Sequence, residues 1–275
     1  MKSEKITFSN ITFRYEGQSD AAAALVIPSL ALEAGKRYLI TGACGSGKTT
    51  LVMLLKGLVK PTSGSIEIKE TDKTLSEIRH TMGFAFQFPE EQFFKETVEE
   101  EIGFGPLLLG CENVSERVEE SLTAVGLCFE DFARRSPFEL SFGEKRRVAI
   151  ASIIACNPSW YIFDEPTAGL DPEGKRALLE LLERFTGPGK TMLIITQELG
   201  LFSRLSDEII LLDQGKVLAK RETKAFFDTE GSASVFSCFP YHIQVLAGLR
   251  DRGWDLPVSI LDPSEAASRI VSSVL

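Results

Sequence analysis

Residues 37–49 read Arg37-Tyr38-Leu39-Ile40-Thr41-Gly42-Ala43-Cys44-Gly45-Ser46-Gly47-Lys48-Thr49. A short strand-like run enters a glycine-rich stretch, and residues 49–58 follow with helical composition until Gly57 and Pro61 stop them. Residues 42–49 fit the pattern G-x-x-x-x-G-K-[ST] in the strand–loop–helix setting that the motif requires. Glycines at 42, 45 and 47 let backbone N–H groups turn inward on phosphate oxygens, and the helix N-terminus adds partial positive charge. Lys48 would reach the outer phosphates and the Thr49 hydroxyl would ligate Mg²⁺, with Ser46 and Thr50 completing the candidate set. A glycine-rich turn with an incidental lysine is the alternative.

Working outward, the N-terminal side alternates like strands, with Ile6 and Phe8, then Ile11, Phe13 and Tyr15 after a break at Asn10. Ser63-Gly64 signals a turn before a further strand at 65–68. Residues from about 90 to 140 read as a mostly helical insertion. Within it Val114, Val118, Leu122 and Val125 recur at helical spacing, and Asn113 with Glu116 resembles a capping box. Continuous apolar runs at 160–163, 192–196 and 209–212 predict buried parallel strands. A helical pattern at 175–185 separates the first two, and Asp213-Gln214-Gly215-Lys216 predicts a hairpin turn. Residues 229–237 are small and polar, a predicted linker. Two helices follow at about 241–252 and 263–274, the second opened by Asp262 as N-cap, Pro263 and Glu265. The expected organisation is an α/β domain over 1–228 and a helical extension over 229–275.

The 275 residues carry a net charge of −9, with 25% charged and 44% hydrophobic residues. That balance disfavours general nucleic-acid binding, which needs clustered Lys and Arg, so any phosphate ligand must be held by a local site. Cysteines at 44, 111, 128, 156 and 238 are odd in number and lack metal-ligand spacing, as expected of reduced cytosolic thiols. The first ten residues lack a signal-peptide core, and the best apolar stretch, 148–156, is too short to span a bilayer.

Residues 160–165, Trp-Tyr-Ile-Phe-Asp-Glu, form a strand-like run ending in two acids. Asp164 would serve the Mg²⁺ shell and Glu165 would orient and polarise the attacking water. Upstream stands Leu140-Ser141-Phe142-Gly143-Glu144-Lys145-Arg146-Arg147, which resembles the signature loop of ABC ATPases. With residues 42–49 and Asp164-Glu165-Pro166-Thr167, the resemblance covers nearly the whole chain. It implies a RecA-like P-loop core with an antiparallel β subdomain and a helical subdomain, binding and hydrolysing ATP with Mg²⁺. It further implies Tyr15 as the aromatic that stacks on adenine and Gln87 as the Q-loop glutamine near Mg²⁺. Ser141, Gly143 and Glu144 would meet nucleotide across a dimer, and Ala168-Gly169-Leu170-Asp171 would form the D-loop. Blander alternatives stay open: Tyr15 as a core aromatic, Gln87 as a polar loop residue, Asp171 as a helix N-cap.

The run Phe86-Gln87-Phe88-Pro89-Glu90-Glu91-Gln92-Phe93-Phe94, residues 97–104 and the tail 240–270 with Gly253-Trp254-Asp255-Leu256-Pro257 narrow the resemblance. They are similar to the ATPases of energy-coupling factor (ECF) transporters, importers of vitamins and transition-metal ions. That implies a peripheral position at the cytoplasmic face of the membrane, beside a membrane T component and a substrate-binding S component. A second ABC ATPase subunit would complete the pair, with the tail as dimerisation region. Two departures stand out: Gln197 replaces an expected histidine at the γ-phosphate, and Phe142 replaces a signature glycine. An amide donates a hydrogen bond but carries no proton at neutral pH. Both departures suggest one half of a heterodimer, with a homodimer as the alternative. The competing functions are a low-turnover regulatory ATP-binding protein, another class of ABC transport ATPase, and a soluble ABC ATPase acting on DNA or ribosomes.

Overall fold

The structure, a computed structural model, describes residues 4–15, 23–88, 92–185, 187, 189–228 and 239–274. The predicted linker, Glu90, Glu91 and Cys238 lie outside them; Cys44, Cys111, Cys128 and Cys156 are free thiols. The chain divides into two compact units. One comprises Ile6–Leu32, Lys36–Glu67 and Ile195–Leu275, the other Met1–Lys5, Glu33–Gly35 and Ile68–Ile194.

In the first unit the strands are β1 (Lys5–Phe13), β2 (Leu25–Glu33), β3 (Arg37–Thr41), β4 (Ser63–Lys69), β8 (Glu208–Asp213) and β9 (Lys216–Glu222). Their order is β4-β1-β2-β9-β8-β3. The break expected at Asn10 is instead an irregularity inside one strand. Asn10 takes φ 50, which Asn tolerates, so Ile6 and Phe8 before it and Ile11 and Phe13 after it are all buried. Gly64 makes this crowding possible, because a Cβ there would lie 2.3 Å from the Asn10 carbonyl oxygen. β2 escaped the sequence reading because Pro28 and Ser29, both exposed, interrupt its alternation. The hairpin between β8 and β9 turns at Gln214 (φ 44) and Gly215 (φ 75), two consecutive positive φ values that suit a tight antiparallel turn. A short helix, α8 (Leu199–Phe202), precedes β8, and beyond β9 lie α9 (Thr223–Asp228), α10 (Tyr241–Arg250) and α11 (Pro263–Val274). The expected cap of α11 is formed: Asp262 Oδ1 accepts from Ser264 N–H at 2.8 Å and Glu265 N–H at 3.1 Å. Leu246, Leu256, Ile260 and Ala266 close a small core between these helices.

In the second unit β5 (Met82–Ala85), β6 (Trp160–Asp164) and β7 (Thr191–Ile195) lie in the order β7-β6-β5, with β5 and β6 parallel. Every residue of β6 and β7 is buried, which is why these strands read as unbroken apolar runs. The helical insertion is α3 (Val98–Leu108), α4 (Val114–Ala124) and α5 (Phe129–Phe132), followed by α6 (Phe142–Cys156). The capping box expected at Asn113 does not form. Asn113 sits at φ 56, outside the extended conformation that aims a capping side chain at the next turn, and makes no side-chain cap. True boxes open α2 (Leu75–His80), through Thr74 and Glu77, and α6, through Ser141 and Glu144. The last long helix, α7 (Pro172–Phe185), buries Leu178, Leu181 and Leu182.

One ion pair fixes how β3 enters the glycine-rich loop. Asp207 accepts from Arg37 twice on Oδ2, from the backbone N–H at 2.8 Å and Nε at 3.3 Å, and from Nη2 on Oδ1 at 2.8 Å. It thereby pins the pairing of Tyr38 with Glu208 and of Thr41 with Leu211. Burial pushes the Asp207 carboxyl up, but the Arg37 hydrogen bonds and the charges of Arg37 and Lys36 outweigh it, leaving the pKa below its ordinary value. A carboxylate with a depressed folded pKa stabilises above its unfolded pKa, and loses that contribution as pH falls through the folded one. The pair is partly exposed and screened, so Asp207→Asn is expected to cost on the order of 1 kcal/mol at pH 7. Urea midpoints of the two proteins should converge as pH drops below about 4. A gap independent of pH would show that charge is not the source.

Candidate functional site

The loop between β3 and α1 (Lys48–Lys56) is shaped by what cannot fit. Gly42 has φ 148, and a Cβ there would lie 2.0 Å from the Leu212 carbonyl oxygen and 2.7 Å from Ser46 Oγ. Gly47, at φ 99, has Leu25 Cδ1 2.7 Å from the same hypothetical atom, whereas Gly45, at φ 77, opens on free space. The loop is tied at both ends: Ser46 N–H donates to Ala43 O at 3.1 Å, and Gly215 N–H donates to Ser46 O at 3.1 Å. Ala43, Cys44 and Gly45 form an exposed rim, while Ser46, Lys48 and Thr50 are buried and Thr49 is exposed on the first turn. Lys48 Nζ bridges the carbonyls of Gly42 and Ala43, both at 2.9 Å. Ser46 Oγ is buried with no hydrogen-bond partner, an orphaned polar atom beside the helix N-terminus. A triphosphate suits this donor set, since it supplies acceptors for Ser46, for Lys48 and for the amides that open α1.

Two predicted residues join the loop within the same unit. Tyr15 is 44% exposed, which removes the core alternative, and its ring stands edge-on to Phe13 at 4.9 Å. Tyr15 Oη lies 2.8 Å from Thr50 Oγ1, so the phenol is anchored to α1 while a ring face remains open. Gln197 follows Thr196, whose N–H donates to Ile40 O at 3.0 Å, and is exposed just past that strand end.

The remaining predicted residues belong to the other unit. Asp164 is buried at the end of β6, and Glu165 follows it at φ 44. A left-handed backbone costs a residue with a Cβ about 1–2 kcal/mol. Ala168 N–H and Arg146 Nη1 both donate to the Glu165 carbonyl, at 3.1 and 3.2 Å, and hold that turn. Ser141 is the N-cap of α6; its N–H donates to Glu144 Oε2 at 2.8 Å, and the Glu144 N–H reaches back to Ser141 Oγ at 3.4 Å. The bonds to Ser141, backbone first, hold the Glu144 carboxyl below the usual range. Glu144 is thus engaged by its own chain, Gly143 has open space where a side chain would project, and Asp171 caps α7 through Gly174 N–H at 2.7 Å. The Gln87 side chain is exposed, and its carbonyl accepts from Arg146 Nη2 at 2.8 Å.

Arg146 is the residue that sequence reasoning passed over. It lies within the stretch 140–147, where it was given no role of its own. The available signal was periodicity: Arg146 precedes Ile150 by four and Ile153 by seven positions, which puts all three on one helix face, and all three are buried.

The Phe-rich stretch edges a groove of about 340 Å³ within this unit, lined among others by Phe84, Phe93, Phe104, Leu108 and Ile153. Phe94 and Phe104 pack edge to face at 4.8 Å, and buried Glu101 accepts from the N–H groups of Phe94 and Lys95 at 3.0 and 2.9 Å. The lip is therefore rigid, while Phe94, Leu107 and Leu108 remain exposed.

Residues 26–168 match the family described as ABC transporter. The energy-coupling factor transporter ATP-binding protein EcfA2 of Clostridium acetobutylicum is 37% identical, over 98% of this chain and 98% of its own. Its namesake in Clostridioides difficile is 38% identical over 98% and 97%. Among solved structures, cbiO1 from Clostridium perfringens, part of the ABC transporter complex cbiONQ, superposes with a TM-score of 0.69. It shares 28% identity, covering 90% of this chain and 98% of that one. A post-hydrolysis dimer of the ATP-binding cassette MJ0796 with ADP and Pi gives 0.69 at 29% identity, over 79% and 98%. With the phosphate loop, the acid-ended strand and the capped signature helix all formed, the chain belongs to the ABC transporter ATPases, among the ATP-binding proteins of energy-coupling factor transporters, and it binds and hydrolyses ATP.

Proposed function

We propose that the chain energises an ECF importer of vitamins or transition-metal ions as one half of an asymmetric ATPase pair. The observation that carries this is one combination of residues: Asp164 at the end of β6 with Glu165 directly after it, and Gln197 where the family has histidine. In this reading the amides of residues 42–49 and Lys48 hold the phosphates, and Tyr15, braced by Thr50, stacks on adenine. Glu165 orients and polarises the attacking water, and Gln197 donates a hydrogen bond to the γ-phosphate. Among the described residues no group of three or more His, Cys, Asp or Glu could hold a metal. Thr49, Asp164 and Gln87 would hold Mg²⁺, a hard cation that takes oxygen ligands, and the ion would neutralise developing charge. Ser141 and Gly143 are offered to the nucleotide of a second ATPase, with Glu144 holding Ser141 in place, and Asp171 belongs to the D-loop facing that subunit.

Among the described residues no helix is long and apolar enough to cross a membrane. In this proposal the translocation path and the substrate pocket therefore belong to the T and S components, and the chain sits peripherally at the cytoplasmic face. The groove beside Phe93 and Leu108 would seat a helix of the T component, its exposed apolar lip being the feature that suits such a partner. The tail, with the helices at 241–250 and 263–274, would serve dimerisation. A second reading, a regulatory ATP-binding subunit with little turnover, is favoured by Gln197 and opposed by Glu165.

Lys48→Ala is expected to abolish high-affinity ATP binding while shifting the thermal melt only slightly, because the ammonium bonds inside the loop alone. Normal affinity of that variant for ATP would refute the loop assignment. Steady-state ATPase tests the asymmetry: the chain alone should be slow and the mixed pair much faster. Gln197→His should raise the rate of this chain's site, up to about a hundredfold, the scale of one transition-state donor. Brisk turnover by the chain alone, unchanged by Gln197→His, would mean a working homodimer. Leu108→Glu should leave ATPase activity unchanged and prevent co-purification with the T component; retained complex would place docking elsewhere.

A further inference from the structure

Arg146 is buried. Its guanidinium donates to the carbonyls of three separate loop positions: Gln87 at 2.8 Å, Glu165 at 3.2 Å and Ala168 at 3.3 Å. One turn earlier on α6, the Phe142 ring lies 5.3 Å from the guanidinium carbon. The ring also lies beside Gly169, where a Cβ would come within 2.6 Å of Phe142 Cε1. Phe142, the residue that departs from the signature pattern, thus lies back against Gly169 and over the cation.

We propose that Arg146 is a positioning residue for ATP hydrolysis. It holds the left-handed turn at Glu165 and joins it to the Gln87 loop, the Ala168-Gly169 loop and the first turn of the signature helix. A guanidinium suits this task because its N–H groups fan out in one plane and can reach several carbonyls at once. An ammonium is a compact point donor with tetrahedral N–H directions and cannot reproduce the fan. Fixing the Glu165 backbone fixes where its carboxylate points, and a small displacement of a group that orients the attacking water lowers turnover without touching the phosphate loop. Phe142 serves the same end by stacking on the cation and excluding water from it.

The inference rests on Glu165 carrying hydrolysis, and the experiment separates the two. Wild type, Glu165→Gln, Arg146→Lys and Arg146→Gln are prepared as the full chain in its transport complex, and kcat, KM, ATP affinity and thermal melts are measured. Both Arg146 variants are expected to lose kcat by on the order of tenfold to a hundredfold, with KM and ATP affinity within about twofold of wild type. Arg146→Lys, which keeps the charge, should not rescue. Wild-type kcat in either variant overturns the inference, as does a fall in kcat matched by equal losses of ATP affinity and melting temperature, the mark of a purely structural role. Full activity in Glu165→Gln would instead overturn the assignment of Glu165 itself.

Discussion

Gly42 leaves β3 with the carbonyl oxygen of Leu212 occupying the place where any side chain would have to go. That exclusion is the constraint on which the glycine-rich loop depends. A phosphate is gripped by backbone amides only if the backbone can approach it, and the approach is possible only where Cβ atoms are missing. Because the excluded volume belongs to β8, the loop's geometry is set by the pairing of β3 with β8, and that pairing is pinned by Arg37 and Asp207. The hairpin closes the arrangement, since Gly215 at its turn donates to Ser46. Strand register, a surface ion pair and a hairpin turn thus converge on eight residues.

The other unit solves a different problem. Its catalytic candidate, Glu165, stands in a backbone conformation that is unfavourable for a residue with a side chain, immediately after a fully buried strand. Strain of this kind persists only where surrounding groups over-determine it. Here those groups are the Ala168 amide and the Arg146 guanidinium, which share the Glu165 carbonyl. The same helix that carries Arg146 begins with the Ser141–Glu144 capping box. The capping box and the guanidinium that holds the Glu165 carbonyl therefore rest on one helix of fifteen residues.

The Phe-rich stretch shows how one composition serves two ends. Phe84 and Phe93 are buried and belong to the unit's own core, whereas Phe94 and Phe88 are exposed. Buried Glu101 explains the difference at the lip: by accepting from two consecutive amides it fixes the backbone so that Phe94 faces outward while Phe93 faces in. An apolar residue held outward by a buried carboxylate has a cost in stability, which makes sense if a partner covers it.

By itself the sequence determined the features that depend on local chemistry. The glycine spacing at 42, 45 and 47, the acids after an apolar strand at 164 and 165, and the Asp262-Pro263 helix start are all written within a few residues; the strand, loop and helix around the glycines, the strand that ends at Asp164 and the helix after Asp262 are all present. The β6 and β7 strands and residues 209–212 of β8 were legible because complete burial leaves unbroken apolar runs. Tertiary structure alone decided what depends on distant neighbours. Asn10 continues a strand where its type signals a break, because Gly64 leaves room beside it; Asn113 turns left-handed and caps nothing. Arg146 is one unremarked charge of the stretch 140–147 until three carbonyls, from positions 87, 165 and 168, are brought around it. A hydrogen bond to a carbonyl leaves no trace in the identity of the residue that accepts it, since every residue has one, and so the sequence could not show which charge in the run 145–147 goes inside.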